Sequence, residues 1–111
     1  MSKRGINISK SLRERSIKAF LDIIILYLLK QHSMTGYEIE KIIVKKFGVI
    51  IGPSKVYNTL ITMERHGQII CTQNRSGRIY CLTEEGIKKM AELPIIAKEV
   101  QKLSNNLSRV Y

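Results

Sequence analysis

Hydrophobic positions along this chain follow two periods. Leu12, Ala19, Phe20, Ile23, Ile24, Tyr27 and Leu28 recur at helical spacing, which predicts a helix from about Leu12 to Gln31. Ser11, with Glu14 three residues on, supplies a capping box for its start. A second helix is predicted over residues 36–47, with Tyr37, Ile39, Ile42, Ile43 and Phe47 on its apolar side. Thr35 caps that helix and Gly48 ends it. After the connection "VIIGPS", a third helix starts at Pro53 or Ser54 and closes at Gly67, with Val56, Leu60 and Met63 facing the core. The period then changes. "IICTQNRSGRIYCL" reads as strand, turn, strand. "NRSG" fits a three-residue hairpin loop, which sets Ile70 opposite Leu82 and Thr72 opposite Tyr80. A fourth helix follows Thr83, and Pro94 should kink or divide it.

The last segment carries its own pattern. Leu93, Ile96, Val100, Leu103, Leu107 and Val110 alternate in steps of three and four, the a/d stripe of a coiled coil. A stripe this narrow on a terminal helix suits contact with a second copy of the chain. The alternative is docking on the chain's own first helix. The expected organisation is a loose basic arm over 1–10, one domain over 11–92 and a dimerisation helix over 93–111.

Charge narrows the partners. The net charge of +10 comes from 19 Lys and Arg against 9 Asp and Glu. Basic and acidic residues number seven and two over 1–33, five and three over 34–67, two and none over 68–83, and five and four over 84–111. The excess thus lies ahead of the C-terminal segment. A basic domain points to a polyanion, nucleic acid before anionic membrane. The longest apolar run, Ile23 to Leu29, is far short of the roughly 20 residues a membrane span needs. The N-terminus lacks the apolar stretch and cleavage site of a secretory signal. A cytoplasmic protein is expected.

Catalytic chemistry finds no support. His32 and His66 have no ligand spacing around them, and no nucleophile–base arrangement or phosphate loop is present. No metal site or cofactor is expected. The three-residue loop would place Cys71 directly opposite Cys81, either as a cross-strand disulfide or as two packed thiols.

Three short helices followed by a basic hairpin make a winged helix-turn-helix, a mainly α fold with a small β-hairpin (α+β). The residues "ILYLLKQHSMTGYEIEK", "FGVIIGPSKVYNTLITMERHGQI" and "GRIYCLTEEG" resemble the PadR family of transcriptional regulators. The resemblance spans about residues 25–90. It rests on Gly36-Tyr37, Pro53-Ser54, Val56-Tyr57, Leu60, Met63-Glu64, Gly67 and the run from Tyr80 through Leu82-Thr83 to Gly86. Asn58 stands where the family usually has proline, with Thr59 beside it, and the Trp that some members stack on planar ligands is absent. The resemblance implies a regulator that binds double-stranded DNA as a homodimer. No residue of the sequence supports a small-molecule effector.

The residues themselves agree. On the third helix Lys55, Asn58 and Thr62 fall opposite the core stripe, with Tyr57 flanking. Lysine pairs with phosphate or guanine, and asparagine binds adenine bidentately. Ser54 and Tyr57 suit phosphate contact, although Tyr57 also suits half-buried packing. Thr35 and Tyr37 are candidates for capping, packing or a phosphate contact. Asn74, Arg75, Ser76 and Arg78 at the wing suit the minor groove or the backbone. The rival reading is a winged-helix protein-interaction module.

Overall fold

The structure is a computed structural model that describes residues 2–75 and 77–110, with side chains described outside 2–10, 104 and 107–110. Ser76 and the side chains of Leu107 and Val110 therefore lie outside the described residues.

Among the described residues, six helices and three short strands follow in the order α1 (Ser2–Ala19), α2 (Leu21–Gln31), β1 (Met34–Thr35), α3 (Gly36–Phe47), α4 (Pro53–Arg65), β2 (Ile69–Asn74), β3 (Gly77–Leu82), α5 (Glu84–Met90) and α6 (Glu92–Val110). The mainly α architecture with a small sheet is the expected winged helix.

Its centre is α2. Leu21, Ile23, Ile25, Leu26, Leu28 and Leu29 are all buried, covering most of the helix circumference, so α2 is packed on several sides. Ile39 and Ile43 of α3, Val56, Leu60 and Met63 of α4, Ile69 and Tyr80 at the base of the wing, and Met34 and Met90 complete one core. Between α3 and α4, Val49 and Ile51 point inward while Ile50 is exposed. That alternation fixes the turn of the helix-turn-helix to the core.

Several expectations need correction. The single helix expected over 12–31 is two helices, broken at Phe20, whose backbone leaves the helical region (φ −113°, ψ 25°). Asp22 explains the restart, because its carboxylate accepts from the Ile23 amide at 2.9 Å, a local bond that competes with the helix ladder. Residues 2–10 are helical, not a loose arm, so Ser11 sits inside α1 and caps nothing. Arg13 on that helix donates to the Phe47 carbonyl at 3.3 Å and so ties α1 to the end of α3.

The hairpin register also differs. β2 and β3 pair antiparallel with Ile69 opposite Leu82, Cys71 opposite Tyr80 and Asn74 opposite Gly77. Two residues, not three, join the strands. The shift puts Cys71 and Cys81 on opposite faces of the sheet, and both are free thiols. The sheet gains a third strand, since Met34 pairs with Tyr80 and Thr35 with Ile79. Finally, the break expected at Pro94 comes earlier, at Ala91. Pro94 lies in the first turn of α6, where its missing N–H leaves no intrahelical bond unmade.

The ends of α3 and the close of α4 hold as read. Thr35 and Glu38 form a reciprocal capping box on α3, and Pro53 opens α4 as its first residue. At the other end of α4 the Gln68 amide bonds to the Met63 carbonyl and the Gly67 amide to that of Glu64, a Schellman motif. Gly67 occupies its left-handed position with φ 73°. Thr83 joins three elements at one hydroxyl. It donates to the Gly67 carbonyl at 2.6 Å and accepts from the Gly86 amide at 3.1 Å, capping α5. A side chain at Gly86 would run into the carbonyl oxygen of Gln68 and the Leu82 side chain, so glycine is what lets α5 lie against the wing base.

Candidate nucleic-acid interface

With Val56, Leu60 and Met63 turned inward, the opposite side of α4 is left to solvent. At helical spacing that strip runs Ser54, Asn58, Ile61 and Arg65. Tyr57 lies on one flank, and Lys55 and Thr62 on the other. All of these residues are exposed. The Thr62 hydroxyl donates to the Asn58 carbonyl at 3.0 Å, which spends its proton on the helix but keeps its acceptor capacity.

The Tyr57 flank faces α3. A Cβ at Gly36 would lie 3.3 Å from the Cε1 and Cζ atoms of the Tyr57 ring. Gly36 therefore lets α4 cross the first turn of α3 closely, and Tyr57 is a packing residue with an exposed edge. Thr35, predicted as a candidate contact, has its hydroxyl engaged. It donates to Glu38 Oε1 and accepts from the Glu38 amide, each at 3.1 Å. Tyr37 points away from the core, with the Lys41 ammonium 5.4 Å from its ring centroid.

On the opposite flank a cleft of about 360 Å³ separates α4 from α1, α2 and α5. Lys55, Asn58 and Thr62 line it together with Lys18, Asp22 and Lys89. Two of its lysines have carboxylate partners, Lys18 with Glu14 at 3.0 Å and Lys89 with Glu92 at 2.9 Å. The bond to Glu92 raises the Lys89 ammonium above its ordinary value.

The wing divides its two arginines. Arg75 stands exposed in the turn, next to Asn74 at the end of β2. Arg78 leans back onto the fold: its Nε donates to Cys71 Sγ at 3.2 Å, and its guanidinium lies 3.7 Å from Glu64 Oε1 on α4. The bond to Cys71, aided by nearby Tyr80, raises the Arg78 guanidinium further above its ordinary range. Arg78 thus links the wing to the helix beside it.

The described geometry is a solvent-facing polar strip on a helix, flanked by lysines and followed by a wing with an arginine at its turn. The sequence matches the family model of the PadR-like transcriptional regulators over residues 25–92. The chain belongs to that family.

Solved structures of PadR-like and other transcriptional regulators share the fold. A transcriptional regulator from Clostridium thermocellum superposes with a TM-score of 0.74 at 29% identity, over 83% of this chain and 93% of that one. A PadR family transcription regulator from Clostridium difficile gives 0.66 at 26% identity, over 79% and 97%. Bacillus subtilis PadR in complex with operator DNA gives 0.63 at 23% identity, over 68% of this chain and 46% of that one, a likeness of fold. No curated protein matches the chain. The family is one of transcriptional regulators, as are the two clostridial neighbours. Among the described residues no helix is long and apolar enough to cross a membrane, and no cluster of His, Cys, Asp and Glu could hold a metal ion.

Two residues of this PadR-like chain escaped the sequence reading. Ile61 and Arg65 complete the outward strip with Ser54 and Asn58. Their signal was available, because both lie at helical spacing from Asn58 and off the stripe of Val56, Leu60 and Met63. Ile61 is hidden by its chemistry, since an isoleucine in a helix reads as core.

The C-terminal stripe splits. Leu93 and Ile96 are half-buried against the chain's own core. Val100 and Leu103 stand 51% and 60% exposed.

Proposed function

We propose that this protein is a DNA-binding transcriptional regulator that acts as a homodimer on a pseudo-palindromic operator. The observation that carries the reading is the outward strip of α4, polar except for Ile61 and exposed on a helix whose core face is fully engaged. In a helix-turn-helix the second helix enters the major groove by its N-terminal residues. Asn58 then meets base edges, and Ser54, Lys55 and Arg65 meet phosphate or base. Arg75 reaches the adjacent backbone or minor groove from the wing. Tyr57, Thr35 and Arg78 act one step back, by holding α4, α3 and the wing in place.

The exposed Val100 and Leu103 of α6 support pairing with a second copy, which would set two α4 helices about 34 Å apart, one turn of the duplex. Repression is the simplest sign of regulation, since it needs only occupancy of the operator.

Selection of bound sequences from random duplex DNA tests the reading. A palindromic motif with half-sites one helical turn apart is expected. Lack of any enriched motif would instead favour the interaction module. On a selected duplex, Arg75→Gln should reduce the salt slope by about one per protomer. Arg78→Gln should change the slope less, because Arg78 is already paired with Glu64.

A further inference from the structure

Ile61 occupies a position that folding does not explain. It is 48% exposed at the middle of the outward strip of α4, three residues after Asn58 and four before Arg65. The helix already has its core stripe in Val56, Leu60 and Met63. A β-branched residue on a solvent-facing helix position forms helix less well than the lysine or glutamine that usually fills one. Its neighbours one turn away on that strip are polar, Asn58 on one side and Arg65 on the other.

We propose that Ile61 is a specificity-determining residue that reads the 5-methyl group of thymine. This rests on the DNA-binding reading above. Of the groups that base pairs present in the major groove, the thymine methyl is the apolar one, and apolar side chains recognise it by contact. Isoleucine suits the task because branching at Cβ stiffens its first torsion, so the helix itself aims the side chain. Asn58 precedes it by just under one turn and is the group that binds adenine, so the pair reads an adenine and a nearby thymine. Burying one methyl group is worth about fourfold in affinity. Two half-sites in one operator give about fifteenfold.

The test uses the full chain and a duplex obtained by the random selection described above. Each thymine is replaced in turn by uracil, which differs only in lacking the methyl, and binding is followed by fluorescence anisotropy at fixed salt. One thymine in each half-site should lose about fourfold on replacement, while the others change little. Ile61→Ala should bind the thymine and uracil duplexes alike, at the affinity the wild type shows for uracil. Ile61→Val should keep part of the preference. Thermal melting of both variants should match the wild type, as expected for an exposed site. A wild type indifferent to every uracil replacement overturns the assignment, and so does an Ile61→Ala variant that keeps the thymine preference. If the protein enriches no duplex at all, the regulator reading falls and takes this assignment with it. A protein that binds its duplex but ignores the methyls overturns this assignment alone.

Discussion

α4 and α6 are both amphipathic helices with apolar residues three and four apart, yet they stand in opposite relation to the fold. α4 commits its apolar stripe to the chain's own core and leaves a largely polar strip free. Among its described residues, α6 commits Leu93 and Ile96, and carries Val100 and Leu103 into solvent. The same periodicity therefore has two meanings. On α4 what remains exposed is the strip proposed above to meet DNA. On α6 the exposed part, Val100 and Leu103, is the surface proposed above to pack on a second copy of the chain. Periodicity locates a helix face; only burial says whether that face is satisfied.

The sharpest way to break this contrast is to remove the same side chain from each helix. Leu60 is 0% exposed, so Leu60→Ala should lower the unfolding free energy by about 2–5 kcal/mol, independently of protein concentration, in chemical denaturation. A cost below that range would mean that α4 is not anchored as described. Next in size is the anchor at the end of α4. Gly67→Ala forces a Cβ into the left-handed region at φ 73° and should cost about 1–2 kcal/mol by the same measurement. Thr83→Val, at the joint between the end of α4 and α5, removes a cap and should cost about 1 kcal/mol. Thr83→Ser should cost far less; a loss equal to that of Thr83→Val would show that the methyl group, which serine lacks and valine keeps, contributes as much as the hydroxyl. Leu103→Ala should have the smallest effect on unfolding, within about 0.5 kcal/mol at concentrations where the chain is monomeric. Its effect should appear instead as weaker self-association in sedimentation equilibrium. A Leu103→Ala variant that associates like the wild type would remove Leu103 of α6 from the proposed dimer contact.

Much of this fold was legible because local chemistry and global packing agree. Thr35, Gly48 and Gly67 each mark a helix boundary by a mechanism that acts within a few residues, and those boundaries stand where the sequence put them, while the start of α4, left open between Pro53 and Ser54, falls at Pro53. Elements governed by longer-range contacts were not legible. β1 is two residues long, too short for any alternation, and exists because β3 is there to pair with it. The hairpin register turned on whether two or three residues make the turn, and "NRSG" carries the signal of the three-residue loop while the strands pair across two. A one-residue change moved Cys81 to the opposite face from Cys71. The break at Phe20 has no proline or glycine to announce it. It depends on a single carboxylate, Asp22, taking the next amide.

The candidate interface follows the same division. The helix and wing that carry it were readable from spacing. The division of labour among their residues was not. Arg75 and Arg78 are three positions apart and chemically identical, yet one faces solvent while the other is held by Cys71 and Glu64. Tyr57 was open to two roles, and Gly36 beneath its ring decides for packing.

The bonding at Thr83 also sets how freely that position can vary. One oxygen there must give a proton to the Gly67 carbonyl and receive one from the Gly86 amide. Aspartate, an excellent helix cap, can only receive when ionised, and alanine or valine can do neither. Of the twenty side chains, serine and threonine alone carry a strong donor and acceptor on a single short-reaching atom; the thiol of cysteine does both only weakly. For any descendant of this sequence that keeps this joint between α4 and α5, the choice at position 83 narrows to those two.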